Sequence, residues 1–115
     1  MKLLIGLLTL FLCLFLTPVV SAHSQTQIIK MTPDGFEPQE ITVDTNSTVI
    51  FLNQDSDLHW PASNNHPTHE LYPLFDPKRP IESGKSWVFK PTVVGVHKYH
   101  DSEVTVSSTT LQICF

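Results

Sequence analysis

The sequence predicts an all-β domain of the sandwich class. Short apolar or alternating segments recur along the chain, turn signals separate them about every eight to twelve residues, and no segment has the periodicity of an amphipathic helix. Short strands with regular turns of this kind are typical of a β-sandwich. A chain of 115 residues is long enough for one such domain but not for two.

The N-terminal segment has the pattern of a secretory signal peptide. Lys2 gives a positive start, residues 3–20 are almost wholly apolar, and Val20-Ser21-Ala22 supplies small residues, so we predict cleavage after Ala22. An uncleaved membrane anchor is the alternative, because about 18 apolar residues are just enough to cross a bilayer. We therefore expect residues 1–22 to be a signal peptide and residues 23–115 to be one exported domain, periplasmic or extracellular, either free or tethered.

The first half of the domain contains three predicted strands. Ile41 and Val43 alternate with polar residues in one of them, as in a half-buried strand, and residues 49–52 form a continuous apolar run typical of a buried one. A Pro-Asp-Gly turn at residues 33–35 and a short polar turn at residues 45–47 separate them. The predicted strands cover residues 26–31, 39–44 and 48–53.

The second half is less regular. Residues 61–80 hold five of the nine prolines, and we expect an ordered loop, pinned by its prolines and aromatics, because long loops without structure are uncommon in small domains. Predicted strands follow at residues 86–90 and 96–101. Residues 102–115 contain no Gly or Pro, which is atypical beside the rest of the chain, and their pattern is compatible with a closing strand or a hairpin.

Composition excludes several classes of function. The formal net charge of −4 offers no basic footprint for nucleic acid. No nucleophile elbow, Gly-rich phosphate loop or His-Glu-x-x-His helix is present, so we do not expect an enzyme. Asp55, Asp57 and Asp76 lie near turns, and we interpret them as turn caps. Cleavage would leave Cys114 as the single cysteine, which cannot form an internal disulfide.

The histidines point to a metal. Five of the six lie in residues 59–100, and imidazole suits copper, zinc and iron, so copper is our first expectation and zinc the second. His59 follows a strand, and His66 and His69 are three residues apart in the irregular segment. Because side chains alternate along a strand, His97 and Asp101 are expected on one face and His100 on the other. His97 would then be a core histidine. An N-terminal His23 that chelates copper is a further alternative.

The sequence also resembles a known superfamily. The residues that carry the resemblance are Phe36-Glu37-Pro38, Ile41-x-Val43, Val49-x-Phe51-x-Asn53, His59 and Gly95-x-x-x-Tyr99-His100. This pattern resembles the cupredoxins, which include plastocyanin and azurin. The stretch from His59 to Ile81, with its His-Pro-Thr-His run, is similar to a narrower group of exported bacterial cupredoxin-like proteins. The resemblance covers roughly residues 26–101.

The resemblance implies a Greek-key β-sandwich with copper at one end. The first ligand histidine of the family falls on His59, and Asp101 stands where blue copper proteins have a cysteine, so the thiolate is absent. The implied metal ligands are His59, His69, His100 and Asp101. We therefore expect an exported copper-binding protein for copper binding, delivery or slow electron transfer, a monomer whose partner is a copper donor, a copper acceptor or a redox protein. The alternative is a metal-free sandwich that serves as an interaction module.

Overall fold

The computed structural model describes residues 24–64, 70–103 and 109–114, and the predicted signal peptide lies outside these ranges. Within them, eight strands form two four-stranded sheets. The described part of the chain has no helix that could span a membrane. The predicted all-β sandwich is confirmed. The strands are β1 (Thr26–Thr32), β2 (Gly35–Glu37), β3 (Glu40–Asp44), β4 (Thr48–Asn53), β5 (Pro61–Ser63), β6 (Ser86–Phe89), β7 (Gly95–Asp101) and β8 (Thr109–Cys114).

The first sheet has the order β2-β1-β4-β6. The predicted turn joins β1 to β2, and Gly35 there takes a φ of 116°, which residues with a Cβ rarely adopt. β1 pairs with β4 in parallel, with Ile29 beside Phe51, while β4 and β6 are antiparallel. The apolar run predicted as a buried strand therefore lies in the middle of this sheet.

The second sheet has the order β3-β8-β7-β5. β8 pairs with β3 in parallel and with β7 in antiparallel orientation, so the chain's last strand is central. Leu111 and Ile113 on β8 are buried in the core. Residues 109–114 therefore form a closing strand, one of the two alternatives predicted for the tail, and their apolar residues alternate as a half-buried strand requires.

The core between the sheets is largely aromatic. The ring of Phe75 stacks on Phe89 with centroids 4.5 Å apart, and Phe51 lies 5.6 Å from both Phe75 and Trp87. The ring of Tyr99, on β7 of the second sheet, packs against the ring of Phe75 with centroids 5.0 Å apart. Because Phe75 is fully buried but belongs to no strand, it fixes the irregular segment to the core.

The described part of the irregular segment is ordered as predicted, but its first three residues, Pro61–Ser63, form strand β5 and pair with β7 rather than belonging to a loop. Tyr72 and Phe75 are buried, and backbone hydrogen bonds join Phe75 to Ser63 and to Tyr72. A short bridge between His59 and Ile81 closes the base of the segment. This bridge holds the chain that follows β4 at the end of the sandwich where β7 finishes.

Candidate functional site

His59 is placed by a turn that begins where β4 ends. The Asn53 side chain donates Nδ2–H to the carbonyl oxygens of Asp57 (2.8 Å) and Ile81 (2.9 Å), and its Oδ1 accepts from the backbone N–H of Asp55 (2.8 Å). The backbone N–H of His59 donates to the carbonyl oxygen of Ile81, and the carbonyl oxygen of His59 accepts from the N–H of Ile81. These contacts fix the backbone on both sides of a histidine whose residue surface is only 4% exposed.

The His59 ring lies between two carboxylates. Its Nε2 is 2.9 Å from Oδ2 of Asp55, and its Nδ1 contacts Oδ2 of Asp101, the last residue of β7. All three residues are buried. We call this group of Asp55, His59 and Asp101 the His59 cluster.

Backbone groups hold both carboxylates in place. Oδ1 of Asp101 accepts from the N–H groups of Trp60 (2.8 Å) and Glu103 (3.1 Å), and Oδ1 of Asp55 accepts from the N–H of Ser56 (2.7 Å). Each carboxylate therefore has one oxygen bound by the backbone and the other directed at His59. An arrangement with this many fixed contacts positions the ring in one orientation.

The two carboxylates change the acid–base properties of the cluster. Burial alone lowers the pKa of His59, but hydrogen bonds to Asp101 and Asp55, together with their charges, outweigh it, so the pKa of His59 is raised. The pKa of Asp55 is lowered because its carboxylate accepts a hydrogen bond from His59, an effect that burial opposes. Folding therefore strengthens proton binding by the His59 ring and weakens proton binding by Asp55.

The other predicted ligands are placed differently. His100 lies on the face of β7 opposite Asp101, with Nδ1 2.9 Å from Oδ1 of Asn64 and Nε2 3.2 Å from Oγ of Ser102. His69, like His66, lies outside the described residues, so its role as a ligand stays a prediction. The structure thus brings His59 and Asp101 together and places His100 on the other face of the strand.

The donor chemistry of the His59 cluster fits copper(II) or zinc. Imidazole nitrogen and carboxylate oxygen are ligands that both ions accept, and no thiolate belongs to the cluster. Nδ1 of His59 and Oδ2 of Asp101 face one another, while Nε2 has a carboxylate partner of its own, as is usual for metal-ligating histidines. Among the residues that the structure describes, no group of three or more His, Cys, Asp or Glu side chains is arranged so that it could hold a metal ion.

His97 lies in a second cluster, which contains no carboxylate. The hydroxyl of Tyr72 accepts from the N–H groups of Thr92 (2.8 Å) and Val93 (3.1 Å), and its ring packs on that of His97 with centroids 4.7 Å apart. Nε2 of His97 lies 2.8 Å from the Val93 carbonyl oxygen and donates to it. We call these four residues the Tyr72 cluster. His97 lies on the same face of β7 as Tyr99, as the alternation predicted, but the prediction of a core histidine is wrong, because His97 is only half-buried.

Asp55 is the residue of the His59 cluster that the sequence did not reveal. It caps the turn, as predicted, through Ser56, but its second oxygen contacts His59. The only signal was the spacing of four residues between an acidic residue and a histidine. Asp76 also caps a turn, through the N–H of Lys78, and accepts from the indole N–H of Trp60 at 2.7 Å.

No protein-family model and no curated protein matches the chain. Solved structures of cupredoxins do match. A purple cupredoxin from Nitrosopumilus maritimus superimposes with a TM-score of 0.64 at 20% identity, covering 76% of this chain and 99% of that one. A copper(I) form of an amicyanin mutant superimposes with a TM-score of 0.64 at 11% identity, covering 81% of this chain and 86% of that one. A mutant plastocyanin of fern superimposes with a TM-score of 0.60 at 17% identity, covering 76% of this chain and 99% of that one. The chain therefore has the cupredoxin fold, as its sequence predicted.

Proposed function

We propose that the protein is an exported copper-binding protein of the cupredoxin fold whose site uses imidazole and carboxylate in place of a thiolate. Its role would be copper binding and delivery, or slow electron transfer to a redox partner. The observation that carries the proposal is the contact between Nδ1 of His59 and Oδ2 of Asp101, made by side chains from two segments far apart in sequence. The amicyanin and plastocyanin structures with this fold are of copper(I) or of oxidised and reduced forms, which supports copper as the metal.

The residues of the chain would divide the work at this site. His59 and Asp101 would bind the ion, and His69 remains the predicted source of a further nitrogen ligand. Bound copper would supply one-electron chemistry. The N–H groups of Trp60 and Glu103 would keep the Asp101 carboxylate oriented, because both already donate to its other oxygen. Hard and borderline donors of this kind favour a divalent ion over copper(I).

A metal-free interaction module is the second candidate. The observation in its favour is that both nitrogens of His59 and both nitrogens of His100 have hydrogen-bonding partners within the protein. Buried polar groups that are satisfied in this way need no metal for stability. In this case the His59 cluster would join the turn after β4 to the end of β7.

Copper(II) titration of the protein produced from the full chain separates the two candidates. We expect stoichiometric binding with a type 2 EPR spectrum and without the intense visible absorption of a copper–thiolate bond. His59→Ala should abolish this binding, and His97→Ala, the matched change in the Tyr72 cluster, should leave it intact. Failure of the wild-type protein to bind copper more tightly than about micromolar, which corresponds to about 8 kcal/mol, would exclude the copper function and favour the module.

A further inference from the structure

We infer that Asp55 is a positioning residue for this site: its carboxylate holds the Nε2 proton of His59 and so presents Nδ1, the nitrogen that faces Asp101, to the metal. This inference rests on the proposed copper-binding function. It assigns different roles to the two carboxylates of the His59 cluster, with Asp101 as the ligand and Asp55 as the residue that orients the ligand histidine.

The first argument is the way in which Asp55 is held. It lies four residues before His59 in the same turn, and the backbone N–H of Asp55 donates to the Asn53 side chain, which also binds Asp57 and Ile81. The Asp55 carboxylate and the His59 ring therefore belong to one local unit. The contact between them, at 2.9 Å, joins two residues of the same turn.

The second argument is the chemistry of ligand histidines. A histidine that binds a metal through one nitrogen usually donates the N–H of its other nitrogen to a carboxylate or a carbonyl, which fixes the tautomer and the ring orientation. Asp55 at Nε2 meets this requirement, and its other oxygen is already bound by Ser56 N–H. When a metal takes the place of the proton on Nδ1, between His59 and Asp101, a carboxylate at Nε2 keeps the remaining proton of the ring there.

The third argument is the origin of Asp101. It belongs to a different strand, 42 residues along the chain, and meets His59 only when β7 is in place. A metal held by His59 and Asp101 would therefore link two separate segments of the sandwich. A metal held by His59 and Asp55 would only link residues of a turn that Asn53 already closes.

The direct test is NMR of protein labelled with ¹⁵N-histidine and loaded with Zn²⁺ as a diamagnetic probe. Long-range ¹H–¹⁵N correlations distinguish a metal-bound ring nitrogen from a protonated one, and the His59 signals are those absent from His59→Ala. We expect Nδ1 to be metal-bound and Nε2 to be protonated. The reverse pattern, with Nε2 bound and Nδ1 protonated, would overturn the inference while leaving the copper function in place.

Three variants sharpen the test through their Cu²⁺ dissociation constants. Asp55→Ala should weaken binding by about 10- to 100-fold, the usual effect of removing such a partner. Asp55→Asn should lose less than Asp55→Ala, because its amide oxygen still accepts the Nε2 proton. Asp57→Asn, the same charge change at an exposed position of the same turn, should bind as the wild type does.

The outcomes are separable. A further variant, Asp101→Asn, alters the carboxylate assigned as the ligand. If Asp55→Asn binds Cu²⁺ as weakly as both Asp55→Ala and Asp101→Asn do, Asp55 is a ligand and the positioning role is overturned. A wild-type protein that binds neither Zn²⁺ nor Cu²⁺ would overturn the proposed function, and this inference with it. Circular dichroism tests whether each variant is folded. If Asp55→Ala does not fold, the NMR pattern of the wild-type protein still shows which nitrogen of His59 binds the metal.

Discussion

Two clusters join β7 to the irregular parts of the chain, and they are built from different chemistry. At the C-terminal end of β7, the His59 cluster uses two carboxylates and an imidazole. Nearer its N-terminal end, the Tyr72 cluster uses a phenol hydroxyl, backbone N–H groups and a carbonyl oxygen around His97. Both clusters order loops, but only the first combines charge, burial and lone pairs as a metal site requires.

The comparison shows what decides the role of a histidine in this fold. The nitrogen that His97 directs at Val93 meets a carbonyl oxygen, and its ring lies against an aromatic ring, so its contacts are those of a structural side chain. His59 meets a carboxylate at each nitrogen. Partners, rather than the position of the histidine along a strand, therefore distinguish the candidate ligand from the structural residue.

The largest expected effect comes from placing a thiol in each cluster. Asp101→Cys puts a thiolate beside Nδ1 of His59, and copper(II) should then give the intense visible absorption of a copper–thiolate bond. Thr92→Cys puts the same group in the Tyr72 cluster and should give none. The wild type, which has Cys114, is the blank. Equal spectra from the two variants would mean that the two clusters do not differ as metal sites.

Stability without metal should also separate the clusters. Asp101→Ala removes the acceptor of Trp60 N–H, Glu103 N–H and Nδ1 of His59, and we expect a loss of about 2–3 kcal/mol in the free energy of unfolding, because partly or fully buried donors are left unpaired. Thr92→Ala in the Tyr72 cluster should cost less than about 1 kcal/mol, because its side chain is exposed. Urea denaturation in the presence of a chelator measures both. Equal losses in the free energy of unfolding for Asp101→Ala and Thr92→Ala would show that the two clusters do not differ in their contribution to stability.

The pH dependence of the metal-free protein should follow the His59 cluster. The pKa of His59 is raised by folding, so its contribution is complete below the ordinary value of 6.5 and is lost as the pH rises through the folded value. The pKa of Asp55 is lowered, so its contribution is complete above 3.8 and is lost as the pH falls through the folded value. We expect greatest stability from these two groups between pH 3.8 and 6.5.

Thermal unfolding across this range checks the sign. His59→Ala should remove the fall in stability on the neutral side, whereas His97→Ala should keep it, because the carboxylates and His59 remain in place. A wild-type protein whose stability rises steadily from mildly acidic to alkaline pH would contradict the effect assigned to the two carboxylates.

Much of this fold could be predicted from local pattern. The apolar run at residues 49–52 predicted the bounds of β4, and the alternation of Leu111 and Ile113 predicted a strand in an atypical tail. Their partners could not be predicted in the same way. The parallel pairings of β1 with β4 and of β3 with β8 join segments with other strands between them, and no local signal specifies such contacts.

The candidate site was predictable only in part, for a similar reason. His59 and Asp101 could be proposed from the family resemblance and strand parity, and the structure brings them into contact. Asp55 was interpreted as a turn cap because a carboxylate has two oxygens and the sequence cannot show that the second one reaches His59. The proline-rich segment was expected to be held by its aromatics, and the buried Phe75 does hold it, but the rings that Phe75 contacts could not be predicted because the segment has no periodicity.

The smallest expected effect is in the Tyr72 cluster. Tyr72→Phe keeps the ring on His97 and Phe89 but removes the hydroxyl that accepts from Thr92 N–H and Val93 N–H. We expect a loss of about 1 kcal/mol in the free energy of unfolding and faster hydrogen exchange at those two amides. The copper dissociation constant should be unchanged, because no residue of the His59 cluster is altered. Weaker copper binding in this variant would show that the two ends of β7 are coupled, so that the Tyr72 cluster also controls the geometry of the His59 cluster.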